Sequence, residues 1–200
     1  MKQIITSLKM LGIMTVLLGV IYPLFITGIA QLAFPQKANG SLINVNGNLI
    51  TPYVTKFEPR GSEFIGQKID SVIWFHSRPS ATDYNTLPTG ASNLALTSKK
   101  LYDLVQARKQ KFIDENNLPK GAAVPSEMLF ASASGLDPHI SPEAAKMQID
   151  RISKVRGFSD KQKQQLSALI GQLTETPQFG IFGCARVNVL LLNLELDKMK

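Results

Sequence analysis

The feature that most constrains this chain is a run of 27 residues, 10–36, that contains no Asp, Glu, Lys, Arg or His. An α-helix rises about 1.5 Å per residue and a bilayer core is about 30 Å thick, so about 20 apolar residues can cross a membrane. Tyr22-Pro23 interrupts the run, but membrane-spanning helices tolerate a kinking proline. The run therefore predicts one N-terminal transmembrane helix over residues 10–34.

A cleaved signal peptide is the alternative, with Gly28-Ile29-Ala30 as its cleavage site. Signal-peptide apolar regions are about 7–15 residues long, and this run is longer, which favours a retained anchor. The only later apolar stretch of note, "VNVLLLNLEL", is too short to span and contains two Asn. We therefore divide the chain into an N-terminal tail (1–9), a transmembrane helix (10–34) and one soluble domain (35–200).

The few charges that flank the span predict its orientation. Lys2, Lys9 and the amino terminus precede it, whereas only Lys37 follows within the next 18 residues. Positive residues stay on the cytoplasmic side. We expect a cytoplasmic N-terminus and an extracytoplasmic soluble domain.

Composition excludes several classes of function. The formal net charge is +7, but the Lys and Arg residues are spread from Lys2 to Lys200 without a basic stripe, so we expect no nucleic-acid partner. The single cysteine, Cys184, excludes an internal disulfide framework and is interpreted as a half-buried lone thiol. His76 and His139 lack the close spacing of a zinc-binding helix, and we expect no metal site.

Local patterns predict a mixed α+β fold for the soluble domain. Asn46-Gly47 is typical of a hairpin turn, and the β-branched and aromatic run at 72–76 predicts a strand. Helices are predicted from Thr97 or Ser98 to about Asn116, from Pro142 to Gly157, and after a Ser159 cap. The run 186–197 predicts a strand or a strand followed by a helix. Residues 77–97 form a long irregular loop of the kind that is usually functional or disordered.

The stretch "SASGLDPHISPEAA", 132–145, combines turn residues with the start of a helix. Ser141 is a natural N-cap, Pro142 suits the first helical position, and Glu143 favours the positive end of the helix dipole. Before that cap the stretch presents Asp137 and His139 at a fixed angle, which suits docking to a partner or holding a ligand. A turn that serves only to start the helix is the alternative.

Catalytic motifs are absent from the sequence. There is no phosphate-binding P-loop and no Asp-Lys-Thr-Gly phosphorylation motif. Ser134 with Asp137 and His139 could suggest a serine hydrolase, but the nucleophilic Ser of such enzymes usually sits in a G-x-S-x-G elbow, which is absent. We predict no catalytic residues. The candidate docking or ligand-holding residues are Ser134, Gly135, Asp137, His139, Arg78, Pro79, Ser80 and Asn93.

Several stretches, in order along the chain, carry a resemblance to a known family. They are "QKANGSLI" at 36–43, "IGQ" at 65–67, "FHSRPSA" at 75–81, "ASNLALTS" at 91–98, "ASASGLDPHISPEAA" at 131–145 and "RVNVLLLNLELD" at 186–197. On these stretches the chain resembles the C subunit of the Kdp-type potassium-transporting P-type ATPase of bacteria. Cys184-Ala185 and Met147 depart from the family pattern, and we expect local repacking there.

The resemblance implies a single-span accessory subunit of the bacterial cytoplasmic membrane, in contact with membrane lipid. Its partners would be a channel-like potassium-selective subunit, an ATP-hydrolysing subunit and a small single-span subunit. The family is described as a catalytic chaperone that raises the ATP affinity of the ATP-hydrolysing subunit. No cofactor would be bound tightly, and ATP would be reached through the complex.

This description conflicts with the predicted orientation, because ATP is cytoplasmic and the domain is expected outside. An outward domain would more simply brace the extracellular entrance of the potassium-selective subunit. A membrane-anchored envelope hydrolase and a periplasmic assembly factor are the alternative functions.

Overall fold

The N-terminal segment forms one long apolar helix in the computed structural model, which describes residues 1–43 and 61–199. It runs from Lys2 to Ala33 as α1 (Lys2–Val16), a π-helical turn (Leu17–Ile21) and α2 (Tyr22–Ala33). Pro23 has no N–H to donate to the carbonyl four residues earlier, and the π turn directly precedes it. The helix is long and apolar enough to cross a membrane, and none of the residues in its most apolar window is buried in the protein.

After the span comes a short helix, α3 (Pro35–Ala38), and then the mixed helix-and-sheet domain that the sequence predicts. Its elements are β1 (Leu42–Ile43), β2 (Gly61–Ser62), α4 (Lys99–Glu115), a 3-10 turn (Ser126–Met128), β3 (His139–Ile140), α5 (Pro142–Lys146), α6 (Ile149–Arg156), α7 (Asp160–Gln172), β4 (Thr174–Glu175), β5 (Arg186–Asn188) and α8 (Val189–Lys198). The predicted hairpin at Asn46-Gly47 lies outside the described residues.

The strands form two small antiparallel sheets. β1 pairs with β2, and β5 lies between β3 and β4. The register places His139 opposite Asn188 and Glu175 opposite Arg186. Side chains of α5, α6, α7 and α8 pack against this second sheet in the main core, where Ile152, Leu166, Ile170, Val187, Leu192 and Leu196 are fully buried.

Capping residues set the helix ends as the sequence predicts. The Ser98 side chain caps α4, and Ser159 and Gln162 form a reciprocal capping box at the start of α7. Gly157 ends α6 in the left-handed conformation, with φ +67°. Residues 186–198 form a strand followed by a helix. The helix α8 begins after Asn188, whose side chain accepts a hydrogen bond from the Leu191 amide.

The single helix predicted from Pro142 to Gly157 is wrong, because the chain breaks between α5 and α6 at residues 147–148. The Gln148 side chain turns inward at this break. Its Oε1 accepts from the His76 amide at 2.7 Å, and its Nε2 donates to the His76 carbonyl at 3.2 Å. These two hydrogen bonds to the His76 backbone therefore form in place of a continuous helix from α5 into α6. Met147, which departs from the family pattern, packs partly buried against the core.

The strand predicted at 72–76 is also wrong. Residues 72–73 form a turn, and the rest of the segment has no strand partner among the described residues. Side chains from the helices bind its backbone instead: Asn193 bonds both the N–H (2.8 Å) and the carbonyl (3.0 Å) of Phe75, and Arg151 donates to the carbonyls of Val72 and Trp74. Buried backbone groups need hydrogen bonds, but side chains can supply them as well as a sheet can.

Candidate functional site

The candidate site lies where three loop segments meet beside β3. The segments are residues 65–67, 78–90 and 132–139, which are far apart in sequence. The Gly66 amide donates to the Leu136 carbonyl at 2.8 Å, and the Thr89 hydroxyl donates to the Ser134 carbonyl. We call the charged cluster formed by Arg78, Asp137 and His139 at this junction the Asp137 corner.

An ion pair joins the two longer segments at the centre of the Asp137 corner. Arg78 Nη1 lies 2.7 Å from Asp137 Oδ2, and both side chains are only about a quarter exposed (25% and 28%). The other carboxylate oxygen, Oδ1, accepts from the His139 amide at 3.0 Å and lies 3.3 Å from His139 Nδ1. The carboxylate therefore holds Arg78 on one side and orients His139 on the other.

These contacts set the protonation state of Asp137. Burial acts to raise the pKa of its carboxyl, but hydrogen bonds from the His139 side chain and amide and the charge of Arg78 outweigh it. The pKa falls from 3.8 to about 2. Asp137 is accordingly an anion at neutral pH, and its negative charge is matched by Arg78.

Residues 80–84 form a tight turn that contacts the Arg78 backbone. The Ser80 hydroxyl accepts from the amides of Thr82 (3.2 Å) and Tyr84 (2.9 Å), and Asp83 and Tyr84 both adopt positive φ angles. The Tyr84 hydroxyl reaches back to donate to the Arg78 carbonyl. Burial raises the pKa of Tyr84 to about 12, so this hydroxyl keeps its proton.

Two glycines allow the three segments to approach closely. A Cβ on Gly66 would lie 2.9 Å from the Asp137 carbonyl oxygen, and a Cβ on Gly135 would lie 2.8 Å from the Thr82 hydroxyl. Gly135 also has a φ of +72°, which side chains on L residues rarely adopt. These positions require glycine, and they allow the three segments to pack closely around the Asp137 corner.

Most of the predicted site residues come together, but not all. Arg78, Asp137 and His139 form the Asp137 corner, and Gly135 and Ser80 lie in the segments that pack around it. Pro79 lines an adjoining cleft. Ser134 takes part through its carbonyl, while its hydroxyl accepts from the Leu136 amide at 3.1 Å. Asn93 is exposed, with a φ of +51°, and takes part in none of the cluster's hydrogen bonds described above.

Sequence reasoning missed Gly66, Thr82, Tyr84 and Thr89. The length of the irregular segment 77–97 indicated that some of its residues could belong to a functional site. However, no local pattern identifies which of its side chains face the 132–139 segment. Thr89 acts through a bond across 45 positions, to Ser134, whereas Thr82 and Tyr84 bond to residues two to six positions away. For Gly66, the isolated "IGQ" stretch gives no spacing that predicts close packing.

Two clefts flank Arg78. One, of about 270 Å³, lies among residues of the 68–84 segment and α4, including His76 and Glu115. The other is a more open groove of about 780 Å³ bounded by Asp137, His139, Phe130 and residues 184–186. Cys184 lies on this groove and is exposed, so the half-buried thiol expected from the sequence is wrong.

The arrangement offers recognition chemistry: a matched cation and anion, an oriented imidazole and an adjoining groove. Within residues 1–43 and 61–199, no group of three or more His, Cys, Asp or Glu side chains is placed to hold a metal ion. A serine hydrolase would need a hydroxyl beside His139, but the Ser134 hydroxyl instead faces the Leu136 amide.

The family model and the relatives that match this chain all belong to one family, and they match nearly the whole chain. The family model described as "K+-transporting ATPase, c chain" (KdpC) matches residues 4–198. Relatives named "Potassium-transporting ATPase KdpC subunit" include one from Koribacter versatilis, 43% identical over 98% of this chain and 94% of the relative. Others come from Caldanaerobacter subterraneus (40% identical; 98% and 94% covered) and Polaromonas naphthalenivorans (44% identical; 100% and 97% covered).

Proposed function

Because this chain belongs to the KdpC family, the C subunits of the potassium-transporting ATPase, we propose that it is a non-catalytic accessory subunit that docks through the Asp137 corner. One observation carries the proposal: Arg78, Asp137 and His139 are held at the surface by three loop segments that pack without room for a Cβ at Gly66 or Gly135. Preorganised polar groups beside a groove give specificity to an interface.

The partner that fits this proposal best is the channel-like potassium-selective subunit. The N-terminal helix would lie among the other membrane helices of the complex, including the small single-span subunit. With the N-terminus in the cytoplasm, the Asp137 corner would face the extracellular entrance of the potassium pathway. The Lys2 and Lys9 bias supports this orientation.

A turn that serves only to start α5 is a weaker explanation of the 132–139 segment. Capping by Ser141 requires neither the Arg78–Asp137 ion pair nor the Thr89–Ser134 bond, which both reach across more than 40 positions. Those contacts hold the partly exposed side chains of the Asp137 corner in place and do not act on the helix start. A docking role accounts for both parts of the segment.

The family resemblance further implies an effect on the ATP affinity of the ATP-hydrolysing subunit, at the cytoplasmic face. We propose that this effect is transmitted through the span and the assembled complex. The sequence contains no P-loop, which supports an indirect effect over a nucleotide site of its own.

The test is His139→Ala, which removes the imidazole and leaves the Arg78–Asp137 ion pair in place. We expect a folded protein whose co-purification with the potassium-selective subunit weakens and whose cells grow poorly when potassium is limiting. The measurements are complex yield from membranes and growth at low potassium.

Ser141→Ala is the matched control, because it lies two residues away but acts on α5. Loss of its cap costs about 1 kcal/mol of stability and should lower the melting temperature with normal complex yield. Normal yield and growth for both His139→Ala and a His139/Arg78 double alanine variant would contradict the docking role.

A further inference from the structure

Residues 176–185 form an uncharged arm between β4 and β5. At its base Glu175 and Arg186 pair with each other, with Arg186 Nη2 2.9 Å from a Glu175 carboxylate oxygen. Beyond that pair the arm contains no Asp, Glu, Lys, Arg or His. The charge available for recognition is therefore confined to the base of the arm.

The tip of this arm presents three large apolar side chains to solvent. Phe179, Ile181 and Phe182 are 90%, 76% and 66% exposed. The tip is an ordered turn, since Gln178 and Phe182 exchange backbone hydrogen bonds of 2.9 and 3.0 Å. Single exposed apolar residues are common, but a cluster held outward by a hydrogen-bonded turn is typical of a contact surface.

A chain of hydrogen bonds links the end of the membrane span to the Asn188 end of β5, and the arm leaves β5 at its other end, Arg186. Asn39 Nδ2 donates to Gln31 Oε1 at 3.0 Å, so the linker after the span (residues 34–40) folds back on the end of α2. The linker is in turn bonded to the domain, because the Glu63 amide donates to the Ser41 carbonyl at 3.1 Å. The Glu63 carbonyl accepts a hydrogen bond from the Asn188 side chain at 2.7 Å, so the C-terminal end of β5 also contacts Glu63.

Distances along the chain then limit how far the arm can be from the bilayer. Arg186, at the base of the arm, is two residues from Asn188, or about 7 Å at the rise of a strand. The linker at residues 34–40 spans at most about 25 Å even when fully extended. The base of the arm therefore lies within on the order of 40 Å of the end of the span.

From these observations we propose that the tip of the arm, at Phe179, Ile181 and Phe182, inserts into the lipid surface next to the span. The arm is a second membrane contact that fixes the tilt of the domain over the bilayer. Because the arm is uncharged, its insertion depends on apolar burial and not on anionic lipid. The proposal rests on the span and the tip of the arm and not on docking through the Asp137 corner, although residues 184–186 at the base of the arm also line the groove beside that corner.

The test uses the full chain in neutral phosphatidylcholine bilayers, with an environment-sensitive fluorophore at position 181. The labelled variant carries Ile181→Cys in a Cys184→Ser background. Its control carries Leu96→Cys in the same background, since Leu96 is 92% exposed on another loop. Spin-labelled lipids should quench the fluorophore at 181 at least about twofold more than at 96, whether or not anionic lipid is added.

Three results would overturn the proposal. The first is equal quenching at the two positions. The second is quenching at 181 that appears only with anionic lipid. The third comes from the assembled ATPase in the same bilayers: if lipid quenching at 181 is lost and the position cross-links to another subunit, the arm is a protein contact. Quenching at 181 that persists in the assembled complex supports lipid insertion.

Discussion

Replacing Asp137 with Asn tests the electrostatics of the Asp137 corner directly. The substitution keeps the shape of the side chain but removes the charge that pairs with Arg78 at 2.7 Å. Asn cannot serve as an anionic partner for a guanidinium that is three-quarters buried. We expect the variant to fold but to be less stable at neutral pH.

The size of the effect follows from the pKa of Asp137. Its folded-state value is about 2, against 3.8 for the unconstrained carboxyl. A shift of one pKa unit corresponds to about 1.4 kcal/mol, so the charged form contributes about 2 kcal/mol to the free energy of unfolding. Because the folded pKa is lowered, this contribution is complete above the unfolded pKa and is lost as pH falls from about 4 towards 2.

The measurement is denaturant unfolding of the full chain in detergent, for the native protein and Asp137→Asn, at several pH values between 7 and 2.5. The difference in unfolding free energy should be about 2 kcal/mol at pH 7 and shrink as the pH falls below 4. Asp83→Asn is the matched control, because its ion pair with Lys68 is mostly exposed and should contribute little. A difference that stays constant across this pH range would refute the electrostatic explanation.

Three further substitutions or labels test other parts of the structure. Gly135→Ala should destabilise the domain by about 2 kcal/mol through close contact and a strained φ, whereas Gly121→Ala, with positive φ but open space, should cost less; equal melting temperatures would contradict the close packing. Asn193→Leu leaves the buried N–H and carbonyl of Phe75 without partners and should cost about 3 kcal/mol in chemical unfolding, and a loss below 1 kcal/mol would show that another group replaces the amide. Cys184, which is exposed in this chain, should react with a membrane-impermeant thiol reagent added outside cells after the complex is denatured in place, because Cys184 lies on the groove beside the proposed docking site; labelling only after the inner face is opened would reverse the proposed orientation.

Features with a local cause were predictable from the sequence. The apolar run that forms α1 and α2 needs only length and the absence of charge. The predicted span at 10–34 overlaps the helix Lys2–Ala33 and ends one residue beyond it. Ser98, Ser141 and Ser159 cap helices through bonds to amides three residues away, and Gly157 ends α6 by adopting a positive φ. The caps and the glycine stop are each decided within one helical turn, and the span by the composition of one continuous run, so the residues of the segment itself are sufficient to predict them.

The tertiary structure alone decided the features that depend on distant partners. The run 72–76 has strand-forming residues. However, Gln148 from the break before α6, Arg151 of α6 and Asn193 of α8 bond to its backbone, and these side chains take the place of a neighbouring strand. In the same way, Arg78 and Asp137 are 59 positions apart and become an ion pair only because Gly66 and Gly135 let three segments pack in contact. Hydrogen bonds and ion pairs act over about 3 Å, and no pattern along the chain specifies which distant residues will come within that distance.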